Sequence, residues 1–181
     1  MNTEIRRLLE GVQQGIVSVE DALLQLKLAP FEELGYAKVD HHRRIRQGNM
    51  EVVYGAGKTP EQIIGILSSL SGEGEGPVLV TRLSQAAADQ VALVHPIEYF
   101  PAASIGLLGT MPPPSGLGKI LVATGGTSDL PVAEEAALTA EALGNQVVRL
   151  YDVGVSGIHR LLSHLPEIME ASVIIAVAGM E

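Results

Sequence analysis

Residues 124–129, Thr-Gly-Gly-Thr-Ser-Asp, place hydroxyl and carboxylate groups directly after an apolar run. Gly125 and Gly126 would let the backbone approach a ligand closely, while Ser128 and Asp129 fall where a helix is predicted to begin. A carboxylate at such a place can accept a proton. The alternative is that Ser128 or Asp129 only caps the helix and that the glycines only form the turn.

A second group of polar residues spans 152–160, Asp-Val-Gly-Val-Ser-Gly-Ile-His-Arg. The positive end of a helix dipole keeps a nearby imidazole neutral and able to accept a proton, which favours an acid–base role for His159. The guanidinium of Arg160 could bind a phosphate or carboxylate through two N–H groups. The alternative is that His159 is a partly buried structural residue and that Arg160 is a solvated surface residue.

Two further segments complete the candidate set. Residues 178–181, Ala-Gly-Met-Glu, follow another apolar run and combine accessible backbone with one carboxylate, although a plain turn would have the same composition. Residues 38–62 concentrate positive charge, and guanidinium groups fit phosphate oxygens. A solvated basic loop, or ion pairs within the segment, are the alternatives. The adjacent histidines at 41 and 42 seldom point at one ion, so no metal site is predicted.

Composition limits the classes of function. Hydrophobic residues make up 46% of the 181 residues and aromatic residues only 3%, which indicates an aliphatic core and favours an α/β fold. The net charge of −9 argues against a general nucleic-acid surface. The chain has no cysteine, hence no disulfide or thiolate metal site. The N-terminus is no signal peptide and the longest apolar run is far too short for a membrane span, so we expect a cytoplasmic protein that does not bind membranes.

The elements that would position these residues follow from periodicity. Apolar spacing predicts a helical hairpin in residues 1–30, with Ser18 and Asp21 capping its second helix. Residues 31–108 are predicted to form a small α/β domain that carries the basic segment, and the Pro- and Gly-rich residues 109–118 a linker. Residues 119–181 alternate β-branched runs with helices predicted over 130–144 and 157–171, a pattern typical of parallel strands covered on both faces.

The predicted fold is therefore α/β, a helical hairpin and a small α/β domain followed by a parallel-sheet, three-layer domain. Ligands of open parallel sheets bind beyond the carboxyl ends of the strands, so the three motifs at 124–129, 152–160 and 178–181 should share one rim. Three strands and two helices would leave an apolar sheet edge open. Either a partner subunit covers that edge or the chain is C-terminally incomplete, and we favour the second interpretation.

Taken together, the motifs resemble a known family. The segments TGGTSDLPVAEEA, YDVGVSGIHRLL and VAGME, with VDHHRRIRQGNMEVVYGAGKTPEQI before them, resemble the LarB family, which makes the nickel-pincer nucleotide of lactate racemase-type enzymes. The resemblance covers nearly the whole chain. Residues from about 118 onward also resemble PurE, the aminoimidazole ribonucleotide carboxylase or mutase of purine synthesis, which implies a flavodoxin-like domain.

The resemblance implies a reaction. LarB-like enzymes take nicotinic acid adenine dinucleotide, add CO2 to carbon 5 of its pyridinium ring, and hydrolyse the phosphoanhydride to release AMP and pyridinium-3,5-biscarboxylic acid mononucleotide. The family's cysteine nucleophile lies in a stretch beyond residue 181, so a chain ending there is expected not to carboxylate. Gly126 also stands where the family usually has alanine.

The resemblance also implies roles. Asp129, His159 and Ser128 are the expected catalytic residues, with His159 as the alternative base. Expected substrate-binding residues, by backbone approach or by charge, are Gly125, Gly126, Thr127, Asp152, Gly154, Gly157, Arg160, Gly179, Met180, Glu181, Asp40, Arg43, Arg46 and Lys58. CO2 is the implied co-substrate and no resident cofactor is firmly implied, although Mg²⁺ would assist anhydride hydrolysis. A homo-oligomer is expected, and PurE-like sheets form octamers.

Two alternatives stay open. The protein could be an aminoimidazole ribonucleotide carboxylase or mutase, although its first hundred residues have no counterpart in that simpler family. It could also be a nucleotide-binding module without catalysis, which the missing cysteine makes plausible.

Overall fold

The computed structural model describes residues 2–27, 32–39, 50–71 and 76–179. The chain divides into two compact units, residues 1–49 and 50–181. Both sheets that bear the candidate motifs lie in the second unit. The predicted boundaries at 30, 108 and 118 remain predictions.

The first unit contains a helical hairpin and a two-stranded antiparallel sheet. Ser18 accepts a hydrogen bond from the backbone N–H of Asp21 at 3.0 Å and donates its own hydroxyl to the Asp21 carboxylate at 2.7 Å, as the capping prediction requires. The predicted helical hairpin is confirmed. The elements are α1 (Asn2–Gln13), α2 (Val19–Lys27), β1 (Glu32–Glu33) and β2 (Lys38–Val39).

The second unit begins with a four-stranded mixed sheet in the order β3-β4-β6-β5. Strands β3 and β4 are parallel, whereas β6 pairs antiparallel with both β4 and β5. Helices α3 and α4 pack against each other beside this sheet. The elements are β3 (Glu51–Tyr54), α3 (Pro60–Leu70), β4 (Val78–Thr81), α4 (Gln85–Ala92), β5 (Ile97–Phe100) and β6 (Ile105–Leu108).

A three-stranded parallel sheet in the order β8-β7-β9 follows, with β7 at its centre. Because β7 runs as Lys-Ile-Leu-Val-Ala-Thr and lies between two partners, its middle residues Leu121 and Val122 are fully buried. The elements are β7 (Lys119–Thr124), α5 (Leu130–Ala142), β8 (Gln146–Leu150), α6 (Ile158–Leu162), α7 (Leu165–Glu170) and β9 (Val173–Val177).

The single helix predicted over 157–171 is wrong in detail, because the structure has two short helices there. Pro166 lies in the first turn of α7. A proline has no N–H to continue the hydrogen bonding of a preceding helix, and its ring collides with the carbonyl four residues earlier. Helix α6 therefore ends at Leu162, and a new helix, α7, begins at Leu165.

Helix α5 forms a layer between the two sheets. Its Ala133 and Ala137 pack against Val122 of β7, while Leu138 and Ala142 belong to a cluster with Leu79 of β4 and the inner residues of β6. On the other face of the β7 sheet, Leu161 and Ile168 from α6 and α7 pack against a cluster centred on Leu121 and Leu150. The predicted α/β class, with parallel strands and helices on both faces, is confirmed. In the described parts of the chain, none of the helices has the length and apolarity to cross a bilayer.

Candidate active site

The carboxyl ends of β7, β8 and β9 are joined by backbone hydrogen bonds. Gly125, just past β7, donates its N–H to Val177 of β9 at 3.0 Å. On the other side, the N–H of Val153 donates to Thr124 at 3.0 Å and that of Gly154 to Gly125 at 2.9 Å. The three motifs predicted to share a rim thus meet at one edge of the sheet.

Glycine is required where two of these strand ends touch. A Cβ atom on Gly154 would lie 2.5 Å from the carbonyl oxygen of Gly125, which is closer than real Cβ atoms approach. A Cβ on Gly125 would lie 3.2 Å from the Cβ of Ala178. These glycines therefore let the strand ends approach each other closely, and their approach to a ligand stays a prediction.

Asp129 lies beside the ends of β7 and β9. It closes a 3-10 turn over Thr127–Asp129, where its Oδ2 accepts the N–H of Gly126 at 2.9 Å. Its Oδ1 lies 4.0 Å from the point where a Cβ on Gly179 would stand. Ser128 is exposed on the same turn. The Asp129 carboxylate therefore faces the rim. Asp129 is the residue before α5, but its side chain makes no capping hydrogen bond to that helix and holds the preceding turn instead.

Asp152 and Arg160 pair with each other beside the end of β8. An Nη1 N–H of Arg160 donates to Oδ2 of Asp152. Asp152 has a left-handed backbone with φ of 58°, and its N–H donates to the buried hydroxyl of Thr124 at 2.9 Å. His159 is exposed in α6. The predicted anion-binding arginine is thus already held by a carboxylate of the same site.

A cavity of about 140 Å³ opens at the same strand ends. It is lined by residues 123–125, 153–155 and 176–178 together with Leu161. Among the described residues the lining includes Gly125 and Gly154 but not Asp129 or His159. The structure thus brings together the predicted backbone segments around an apolar cavity, whereas the two predicted acid–base groups lie outside its lining.

Lys58 follows β3 in the loop Gly-Ala-Gly-Lys, where its ammonium donates to the carbonyl of Tyr54 at 2.7 Å. Helix α3 begins just after it with a capping box, in which Thr59 and Gln62 exchange side-chain and backbone hydrogen bonds. Hydrogen bonds from the backbone and from Thr59 also lower the pKa of the Glu61 carboxyl. The first N–H groups of α3 are therefore satisfied by the chain itself.

Other predicted residues lie outside the described part of the chain. These are Asp40, Arg43 and Arg46 of the basic segment, with Met180 and Glu181 after β9. In the described ranges, no three His, Cys, Asp or Glu side chains are grouped closely enough to hold a metal ion.

The ends of β4 and β7 point to the same side of the unit. Leu79, early in β4, clusters with Leu138 and Ala142 late in α5, whereas Arg82, just past β4, pairs with Glu135 earlier in α5 at 2.8 Å. Strand β4 therefore runs opposite to α5, as β7 must in a β-α-β connection. The Gly-Ala-Gly-Lys loop, which follows the parallel strand β3, opens on the same side as the rim.

Thr124 and Arg82 are not among the residues predicted from sequence. Thr124 ends an apolar strand, where a threonine is ordinary, and only its contact with Asp152 distinguishes it. Arg82 has a left-handed backbone with φ of 53°, which no local sequence pattern signals.

Comparison with known proteins agrees with the motifs. Residues 31–110 match the family described as the LarB/PurE-like N-terminal domain. Over 191 aligned positions the chain is 36% identical to an uncharacterized protein of Methanocaldococcus jannaschii, an alignment that covers all of this chain and 74% of that protein. On this evidence the chain belongs to the LarB family.

Proposed function

We propose that the protein adds CO2 to carbon 5 of the pyridinium ring of nicotinic acid adenine dinucleotide and hydrolyses the phosphoanhydride, releasing AMP. Membership of the family indicates a carboxylase-like function. The observation that supports a site in this chain is the joining of three parallel strand ends, with the Asp129 carboxylate between the ends of β7 and β9.

The chemistry defines what the rim must do. A pyridinium ring is electron-poor and attacks CO2 only after a nucleophile has added to it, which makes carbon 5 part of an enamine. The new bond joins carbon 5 to CO2. A base then removes the proton from carbon 5, the electron pair returns to the ring, and the nucleophile leaves.

We assign the removal of that proton to Asp129, with His159 as the alternative base. One oxygen of Asp129 is held by the Gly126 N–H, so the group has a defined orientation, and the other faces Gly179. Ser128 is assigned to the ribose or ring. The family's thiolate has no counterpart among these 181 residues, which include no cysteine. Substrate binding and proton transfer are therefore the roles proposed for this chain's own residues.

The phosphates are assigned to Lys58 with Arg43 and Arg46, and CO2 is the co-substrate. For Lys58 this requires its ammonium to exchange the Tyr54 carbonyl for a phosphate oxygen. Mg²⁺ is proposed only as an aid to anhydride hydrolysis, and assembly into a homo-oligomer is proposed from the resemblance to PurE.

Incubation with the dinucleotide, isotope-labelled bicarbonate and a small thiol as external nucleophile tests the function. We expect label on the pyridinium ring and release of AMP, both detected by mass spectrometry. A parallel incubation replaces the dinucleotide with aminoimidazole ribonucleotide, and label on that compound alone would favour the PurE-type reaction. If calorimetry shows that the dinucleotide binds but no label is incorporated even with the thiol present, the protein is better described as a nucleotide-binding module.

Asp129→Asn tests the base. The amide oxygen can still accept the Gly126 N–H, so the turn should persist while the proton acceptor is lost. Carboxylation should fall by about a hundredfold or more, as expected for removal of a general base, with affinity for the dinucleotide little changed. A rate near that of the wild type would assign the proton transfer elsewhere, and His159→Asn is then the variant to measure.

A further inference from the structure

We propose that Thr124 and Asp152 are positioning residues that hold the guanidinium of Arg160 at the rim, where it receives a carboxylate or phosphate group of the substrate. The proposal deepens the function proposed above and rests on it for the identity of the substrate. The positioning itself rests on contacts within the chain. Each link can be followed from the buried end of β7 to the exposed guanidinium.

The first link is a buried hydroxyl. Thr124 is 1% exposed, and its Oγ1 accepts the N–H of Asp152 at 2.9 Å. Its backbone carbonyl accepts the next N–H along the chain, that of Val153, at 3.0 Å. One residue at the end of β7 therefore fixes two consecutive amides where the chain leaves β8.

The second link is the backbone of Asp152. A left-handed φ of 58° costs free energy for a residue with a Cβ, so surrounding contacts must maintain it. The hydroxyl of Thr124 supplies such a contact. In this conformation the carboxylate of Asp152 reaches Arg160, which lies two residues into α6.

The third link is the room left for the guanidinium. A Cβ on Gly157 would lie 2.7 Å from Nε of Arg160 and 3.2 Å from Nη2, so glycine lets the guanidinium lie against the backbone. The Asp152 carboxylate takes an Nη1 N–H. A guanidinium has five N–H donors, so others remain for a substrate anion.

A purely stabilising role explains this arrangement poorly. The side chains of Arg160 and Asp152 are 36% and 51% exposed, and exposed ion pairs contribute little to stability. The left-handed backbone meanwhile costs free energy. The gain in stability from an exposed ion pair does not offset this cost. The position of the Arg160 guanidinium at the rim explains the arrangement better.

Thr124→Val removes the acceptor while keeping the shape of the side chain. We expect affinity for the dinucleotide, measured by calorimetry, to fall about tenfold, which corresponds to the loss of one well-placed charged contact. The amide of Asp152 should also lose protection from hydrogen exchange. Thr124→Ser keeps the hydroxyl and should restore both. Thr139→Val is the matched control, since the hydroxyl of Thr139 donates to the Glu135 carbonyl within α5.

Asp152→Asn separates charge from conformation, because asparagine tolerates the left-handed region. It should lower affinity as Thr124→Val does. In an Arg160→Lys background neither change should weaken binding further, since both act through Arg160. Additive losses in that background would overturn the proposal.

The Nη–H signals of Arg160 in nitrogen–proton NMR give a readout that needs no turnover, because the Asp152 carboxylate accepts an Nη1 N–H. We expect a slowly exchanging signal in the wild type that is lost in Asp152→Asn and in Thr124→Val and retained in Thr124→Ser. An identical signal in all four proteins would overturn the positioning role. A wild type that does not bind or convert the dinucleotide would refute the proposed function, while this signal would still decide the positioning.

Discussion

At the scale of single residues, Gly154 sets how closely the ends of β7 and β8 approach. Its φ of −55° and ψ of 152° suit any residue, so its requirement is spatial and not conformational. The atom that a Cβ would meet, the Gly125 carbonyl oxygen at 2.5 Å, belongs to the backbone and cannot rotate away. A side chain at this position must therefore push two strand ends apart.

Gly154→Ala is expected to lower the free energy of unfolding by about 1–3 kcal/mol, the usual cost of forcing an atom into a packed site. Gly126→Ala is the matched control, because the nearest atoms to its Cβ would be at 3.8 and 3.9 Å and its φ is −140°. That control should stay within about 0.5 kcal/mol of the wild type. Urea unfolding measures both, and equal stabilities would show that the strand ends are not held this closely.

The shared rim could be predicted from sequence because it depends only on the strands being parallel. The pairing of Arg160 with Asp152 could not. It depends on the backbone conformation of Asp152, which is linked to a hydroxyl 28 positions earlier in the chain. No local pattern carries a contact of that kind.

At the scale of elements, a polar network ties β8 to α5. Arg149 in β8 contacts Glu141 through two hydrogen bonds of 2.5 and 2.8 Å and Glu134 through one of 3.3 Å. The hydroxyl of Tyr151, just past β8, donates to the other oxygen of Glu134 at 2.8 Å. Burial, followed by this hydrogen bond, raises the pKa of Tyr151 to about 12.

The raised pKa makes stability depend on alkaline pH. An unfolded tyrosine ionises near pH 10, so the fold favours the neutral phenol. This contribution is fully present below about pH 10 and is lost as the pH rises through about 12. Tyr151→Phe should lower stability at neutral pH and flatten its decline over that range, measured by urea unfolding at successive pH values.

Tyr99→Phe is the control for losing a hydroxyl alone, since the hydroxyl of Tyr99 donates to the Leu83 carbonyl and not to a carboxylate. An unchanged alkaline decline in Tyr151→Phe would mean that other groups cause it.

Most elements could be predicted because their signals are local. Strand β7 is an unbroken apolar run, α3 begins with a threonine and a proline, and Gly144 follows the end of α5 with φ of 79°. The break between α6 and α7 was missed because the apolar spacing continues through it. The break is caused by Pro166, which has no N–H to continue the hydrogen bonding of α6. The spacing of apolar residues indicates which face of a helix is buried, but it does not indicate where the backbone hydrogen bonding of the helix ends.

At the scale of the whole unit, α5 packs against both sheets and not only against the β7 sheet to which its β-α-β connection belongs. Its small residues pack on β7 and its Leu138 packs toward β4. The helix thus keeps the ends of β4 and β7, and with them the Gly-Ala-Gly-Lys loop and the rim, on one side of the unit. Elements before and after the predicted linker at 109–118 therefore pack against each other.

Leu138→Ala tests whether the two sheets unfold together. Leu138 is 7% exposed, and truncating a buried leucine costs about 2–5 kcal/mol. Because its cluster joins α5 to β4 and β6 while α5 also covers β7, the amides of both sheets should lose protection from hydrogen exchange by similar amounts. Leu143→Ala, at a residue 46% exposed just past α5, should change little. Loss of protection confined to β4 and β6 would show that the sheets are separate folding units, with 109–118 acting as a true linker between them.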